Sequence, residues 1–152
     1  MKVTIYTDGA CAGNPGKGGW CAILTAEKDG HSFEKVVSGG EEHTTNNRME
    51  LLAVIGGLAS LKRPCEVEVV SDSHYVCGAF NDGWLESWRR KGWLTAGRKP
   101  VKNMELWRSL DELTQRHKVF FSWIKGHNGH LYNERCDSIA SAIAGSGRLP
   151  QV

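Results

Sequence analysis

Apolar and polar residues alternate along several short stretches of the chain, and these mark its strands. Residues 2 to 8, KVTIYTD, are β-branched and aromatic and stop at Gly9, which predicts a first strand ending on an aspartate. Stretches near 20 to 27 and 32 to 39 predict two further strands, and the Asp29-Gly30 step between them carries a hairpin signal. The intervening residues 9 to 19 are rich in glycine and read as a turn. From Asn47 to about Lys62 the spacing becomes helical, with Asn47 as a cap, Glu50 three residues on and Pro64 just past the end. This helix is apolar almost all round, which predicts burial against a sheet.

Residues 66 to 72, EVEVVSD, form a fourth predicted strand, again ending on an aspartate. Short helices are expected near 74 to 80 and 84 to 91, then a basic loop, a helix near 103 to 116, a fifth strand at 118 to 125 and a last helix at 133 to 144. A helix crossing between two strands is a βαβ unit, so strands 1 and 4 are expected to lie side by side and parallel. The expected fold is α/β: a mixed five-stranded sheet, strands 1 to 3 antiparallel and strands 4 and 5 parallel to strand 1, flanked by helices. One catalytic domain over residues 1 to 145 and a tail at 146 to 152 complete the expected organisation.

A chain of 152 residues is of one-domain size. The net charge of +2 implies no polyanion partner by itself, so any such partner requires a local basic patch. The five cysteines are scattered and never form C-x-x-C, which fits reduced thiols in a cytoplasm. No signal-peptide pattern opens the chain and no apolar run is of membrane-spanning length, so neither secretion nor a membrane partner is expected. The glycines near residue 13 match no G-x-x-x-x-G-K-[ST] nucleotide loop.

Four acids are the candidate chemistry. Asp8 and Asp72 would meet at the carboxyl edge of adjacent parallel strands, Glu50 lies in the first turn of the buried helix, and Asp137 shares a helical stripe with Ala140 and Ala144. Each has an ordinary structural role open to it: turn former for Asp8, capping-box acid for Glu50, helix cap for Asp72. Convergence changes the weight, because carboxylates buried together repel unless cations compensate. Hard oxygen ligands in this number suit Mg²⁺, or Mn²⁺, rather than zinc. His127 and His130 have H-x-x-H spacing, but with Cys136 they still lack a fourth zinc ligand.

The segments YTDGACAGNPG, TTNNRMELLAV, VVSDSHYV and WIKGHNGHLYNERCDSIA, in this order and spacing, closely resemble the ribonuclease HI family of bacteria, and so does the GW-x-T-A-x-x-K-P-V-K-N stretch at 92 to 103. The resemblance runs from residue 2 to about 144. It implies the ribonuclease H fold, a monomer, and endonucleolytic cleavage of the RNA strand of RNA–DNA hybrids, leaving 3′-hydroxyl and 5′-phosphate ends. It also implies that Asp8, Glu50, Asp72 and Asp137 hold one or two metal ions and that His127 handles a proton, which suits an imidazole titrating near neutrality.

A substrate surface is expected in two places. Residues 87 to 104 hold six Lys or Arg and no acid. Arg89, Arg90 and Lys91 can follow phosphates there, and Trp84 and Trp88 offer flat faces, although their four-residue spacing equally fits a packed helical face. The resemblance marks this stretch as a protrusion gripping the DNA strand. The second place is a polar set, Cys11, Asn14, Thr45, Asn46 and Asn47, whose amides suit minor-groove edges and 2′-hydroxyls. By resemblance Asn14, Asn46 and Asn47 face the groove and Thr45 a DNA phosphate. The chain departs from the family's common pattern at His74, where glutamine is frequent, and at His43, where arginine is.

Overall fold

The computed structural model describes residues 1–125 and 130–146. Ten elements follow in order: β1 (Lys2–Gly13), β2 (Gly16–Lys28), β3 (His31–Thr44), α1 (Asn46–Ala59), β4 (Glu66–Ser71), α2 (His74–Asn81), α3 (Trp84–Arg90), α4 (Met104–Arg116), β5 (Lys118–Trp123) and α5 (Leu131–Ser146). The sheet order is β3-β2-β1-β4-β5, with β1 antiparallel to β2, β2 antiparallel to β3, and β1, β4 and β5 mutually parallel. The sheet is therefore the mixed one expected. No helix among the described residues is long and apolar enough to cross a membrane.

The main core lies on one sheet face. Val3 and Ile5 of β1, Ala22 and Leu24 of β2, and Val67 and Val69 of β4 pack with Leu51, Val54 and Leu58 of α1 and with Trp107 and Leu110 of α4. Trp107 is fully buried; its indole NH donates to the Tyr75 hydroxyl at 2.9 Å, so the largest core side chain carries no unpaired polar atom. On the opposite face α5 covers only a smaller cluster of Cys21, Ile23, Cys136 and Ala140. The Cys136 thiol donates to the Tyr6 carbonyl at 3.2 Å, and Arg135 makes a two-pronged ion pair with Glu34 of β3 at 2.9 and 2.8 Å.

β1, β2 and β3 run beyond their sequence pattern, whereas β4 stops at Ser71 and β5 at Trp123, short of the expected residues 72 and 125. β1 continues through Asp8 to Gly13, and residues 9 to 13 pair with 16 to 20, so the predicted turn at 9 to 19 is instead the end of a hairpin that reverses at Asn14-Pro15. The glycines read as loop signals serve close packing. A Cβ on Gly9 would lie 2.6 Å from the Glu50 backbone nitrogen, and one on Gly19 would lie 2.5 Å from the Ala140 carbonyl oxygen. The α1 cap also shifts: Thr45, not Asn47, accepts from the Arg48 NH at 3.3 Å. Ser73 rather than Asp72 caps α2, with its hydroxyl accepting from Val76.

His117 closes the end of the sheet away from the acids. Its Nδ1 accepts from the Cys65 NH at 3.0 Å, while its Nε2 is buried and has no partner among the described residues. Burial, aided by the charge of Arg116, lowers its pKa from the ordinary 6.5. The unfolded chain therefore takes up a proton near pH 6.5 that the native state refuses, so the contribution of this residue to stability is present above that pH and is lost as pH falls toward the folded value. We expect wild type to lose stability relative to His117→Asn when pH drops from about 7 to about 5. Urea unfolding of both proteins across that range checks this, and parallel curves would contradict it.

Candidate active site

Register brings the acids together. The parallel pairing of β1 with β4 ends at Tyr6 opposite Val70, so Asp8 and Asp72 each stand two residues beyond the last pair, at the same level of the sheet. Glu50 enters from the first turns of α1, held close to the backbone of β1 where Gly9 carries no side chain. Ligand oxygens of Asp8, Glu50 and Asp72 lie within 4.8 Å of one another. Asp137, on α5, lines the same cleft from its far side, together with Asn46, Asn47, His74 and Tyr75.

One backbone donor orients two of the carboxylates. The Gly9 NH donates to Asp8 Oδ1 at 2.9 Å and to Glu50 Oε1 at 2.7 Å. The second oxygen of Glu50 is buried and has no donor among the described residues. Such a group is costly unless it shares a proton or meets a cation. Burial raises the Asp8 pKa from 3.8 to about 7, helped by the charges of Asp72 and Asp137. Burial likewise raises that of Glu50, with the charge of Asp8 next in importance. The donor set is all oxygen and crowded, which fits a hard divalent ion.

The polar set surrounds this cleft unevenly. Asn46 and Asn47 line it, and Asn14 reaches the same helix start by accepting from the Asn46 NH at 3.0 Å. The Cys11 thiol is turned to backbone, donating to the carbonyls of Thr44 at 3.3 Å and Gly16 at 3.5 Å. Of the basic segment, Arg90 and Lys91 are exposed, whereas Arg89 forms a two-pronged ion pair with Asp111. Trp84 is 43% exposed, but Trp88 packs edge-on against Trp107 at 5.3 Å, so the two tryptophans part between surface and core. His127 falls outside the described residues.

Two contacts were not legible in the motifs. His74 stacks on Trp123 with ring centroids 4.2 Å apart, and the Trp123 indole donates to the Asp72 carbonyl at 2.9 Å, tying β5 to the acid-bearing end of β4. Arg48 pairs with Glu41 and Glu105 at once. Exposed aromatic and charged side chains of this kind carry no pairing signal in a single sequence.

A 3-2-1-4-5 mixed sheet with a carboxylate cluster at its centre defines an α/β protein of the ribonuclease H fold. The ribonuclease H family model matches residues 1–144. Ribonuclease H of Thermus thermophilus is 54% identical over 145 residues, covering 95% of this chain and 85% of that protein. Among solved structures, LC9-RNase H1, described as a type 1 RNase H with the type 2 active-site motif, superposes with a TM-score of 0.85 at 28% identity, over 98% of this chain and 74% of that one. LC11-RNase H1, solved in complex with an RNA/DNA hybrid, shares the fold at a TM-score of 0.66 and 23% identity, over 91% of this chain and 94% of that one. The chain belongs to the ribonuclease H family and is a hydrolase of that kind.

Because a raised carboxylate pKa is stability lost on ionisation, the cluster should weaken the metal-free fold above pH 7. Asp8 contributes nothing to that loss below its unfolded value of 3.8, and the loss is complete above about 7. With chelator present, Asp8→Asn should stabilise the protein by on the order of 2 kcal/mol at about pH 8, and the gain should vanish near pH 4. Chemical denaturation at the two pH values reads this directly; an equally large gain at both would contradict it.

Proposed function

We propose that this chain cleaves the RNA strand of RNA–DNA hybrids, using Asp8, Glu50, Asp72 and Asp137 to hold one or two Mg²⁺ ions, with Mn²⁺ as an alternative, and leaving 3′-hydroxyl and 5′-phosphate ends. The observation that carries this is the convergence of three carboxylates within 4.8 Å beside Asn46 and Asn47, in a cleft that Asp137 also lines. Ions bound there supply positive charge at the scissile phosphate and a more acidic water. Asp8, which feels the charges of both Asp72 and Asp137, would be a central ligand of any ion held there. Glu50 offers its second oxygen, since the first is held by Gly9.

The remaining residues bind and orient. Asn14, Asn46 and Asn47 would meet minor-groove edges and 2′-hydroxyls, the group that distinguishes RNA from DNA, with Cys11 and Thr45 beside them. Arg90 and Lys91 would track DNA phosphates with Trp84 as a flat surface, Trp88 supporting it from the core. Arg89, engaged by Asp111, contributes charge to the same segment while anchoring it. His127 would move a proton to or from the reacting oxygens. Residues 1 to 145 would act as one catalytic domain, followed by a tail at 146 to 152, in a cytoplasmic monomer.

A labelled RNA–DNA hybrid with Mg²⁺, beside RNA–RNA and DNA–DNA duplexes, tests this. Wild type should cut only the RNA strand of the hybrid, and Asp8→Asn should lower turnover at least about a hundredfold while still binding hybrid. Cleavage of the DNA duplex would point to a DNA nuclease, and hybrid binding without cleavage to a binding module.

A further inference from the structure

Arg48 follows Asn46 and Asn47, the two asparagines of α1 that line the cleft, yet its side chain pairs elsewhere. Its Nε donates to Glu41 Oε1 at 2.7 Å and its Nη2 to Glu41 Oε2 at 3.3 Å, a two-pronged pair with β3. Its Nη1 donates to Glu105 Oε1 at 2.6 Å, in the first turn of α4. One guanidinium thus joins α1 and the preceding strand β3 to α4, 57 residues further on. Both carboxyls are held below their usual range by that guanidinium, and the charge of Glu41 acts against that of Glu105.

The place of Glu105 gives this contact its meaning. The basic segment ends at Lys102 and Asn103, which caps α4 in the left-handed region at φ 60, so the first turn of α4 is the root of that segment. On its inner side the root is tied to the cleft by the Tyr75 hydroxyl, which accepts from Asn103 at 3.3 Å and from Trp107 at 2.9 Å. On its outer side the tie is Arg48. Exposed ion pairs add little to stability, but a fork shared by two carboxylates fixes direction and distance, which a lysine would not reproduce.

We propose that Arg48 is a positioning residue: bridging Glu41 and Glu105, it sets the spacing between the amide rim of the cleft and the basic segment, so that one hybrid engages both. This rests on the proposal that those two surfaces grip the hybrid. Removing Arg48 leaves Glu41 and Glu105 as neighbouring like charges, which pushes the root of the basic segment outward while the acids keep their places.

The test is steady-state cleavage of a long hybrid by Arg48→Ala and by Glu105→Gln, the latter at a position whose side chain is 65% exposed and whose loss cannot disturb the core. Both should raise KM about tenfold with kcat unchanged, and Arg48→Lys should not restore it. In an Arg90→Ala/Lys91→Ala background, already weak in hybrid binding, adding Arg48→Ala should change KM less than about twofold. Equal tenfold effects in both backgrounds, or a fall in kcat at constant KM, would overturn the proposal. Should the Arg90→Ala/Lys91→Ala protein bind hybrid as wild type does, the basic segment is not a grip and the error lies in the parent reading.

Discussion

Mutual repulsion among carboxylates at the centre of the sheet is the constraint around which this molecule is built. Parallel pairing of β1 with β4 brings Asp8 and Asp72 to one level, and the close approach of α1 at Gly9 presses Glu50 against them. Asp8 and Glu50 share one backbone donor, the Gly9 amide. The apolar core under α1 and α4 supplies the stability that such a site consumes.

The rest of the fold holds that edge in place. Trp123 secures the carbonyl of Asp72, and Cys136 and Arg135 pin α5 so that Asp137 stands over the cleft. Arg48 links the helix that carries Glu50 to β3 and α4. Groups held in place by such contacts need not rearrange to meet a cation.

Much of this was legible in the sequence. β-branched and aromatic runs, with alternation at 66 to 72, pointed to all five strands, and the two aspartates at the ends of strand-like runs flanking a buried helix pointed to the parallel pair. The misread elements share one cause: glycine carries two opposite meanings. At 9 to 19 it reads as a turn signal, whereas Gly9 and Gly19 lie within strands and admit the backbones of α1 and α5. Capping was ambiguous for a similar reason, since Thr45, Asn46 and Asn47 are all competent caps and only the turn geometry selects Thr45. The pairing of Arg89 with Asp111 was invisible because the partner lies 22 residues away, and composition counts every arginine as free.

The central claim is that divalent ions bind because they relieve the carboxylate repulsion that the fold maintains. The direct measurement is the unfolding midpoint at about pH 8 as Mg²⁺ is raised through the millimolar range, for wild type and for Glu50→Gln. The account predicts that wild type rises with Mg²⁺ in saturable fashion, and that Glu50→Gln begins higher in chelator and rises much less. A wild-type midpoint indifferent to Mg²⁺, or an equal rise in both proteins, would contradict it.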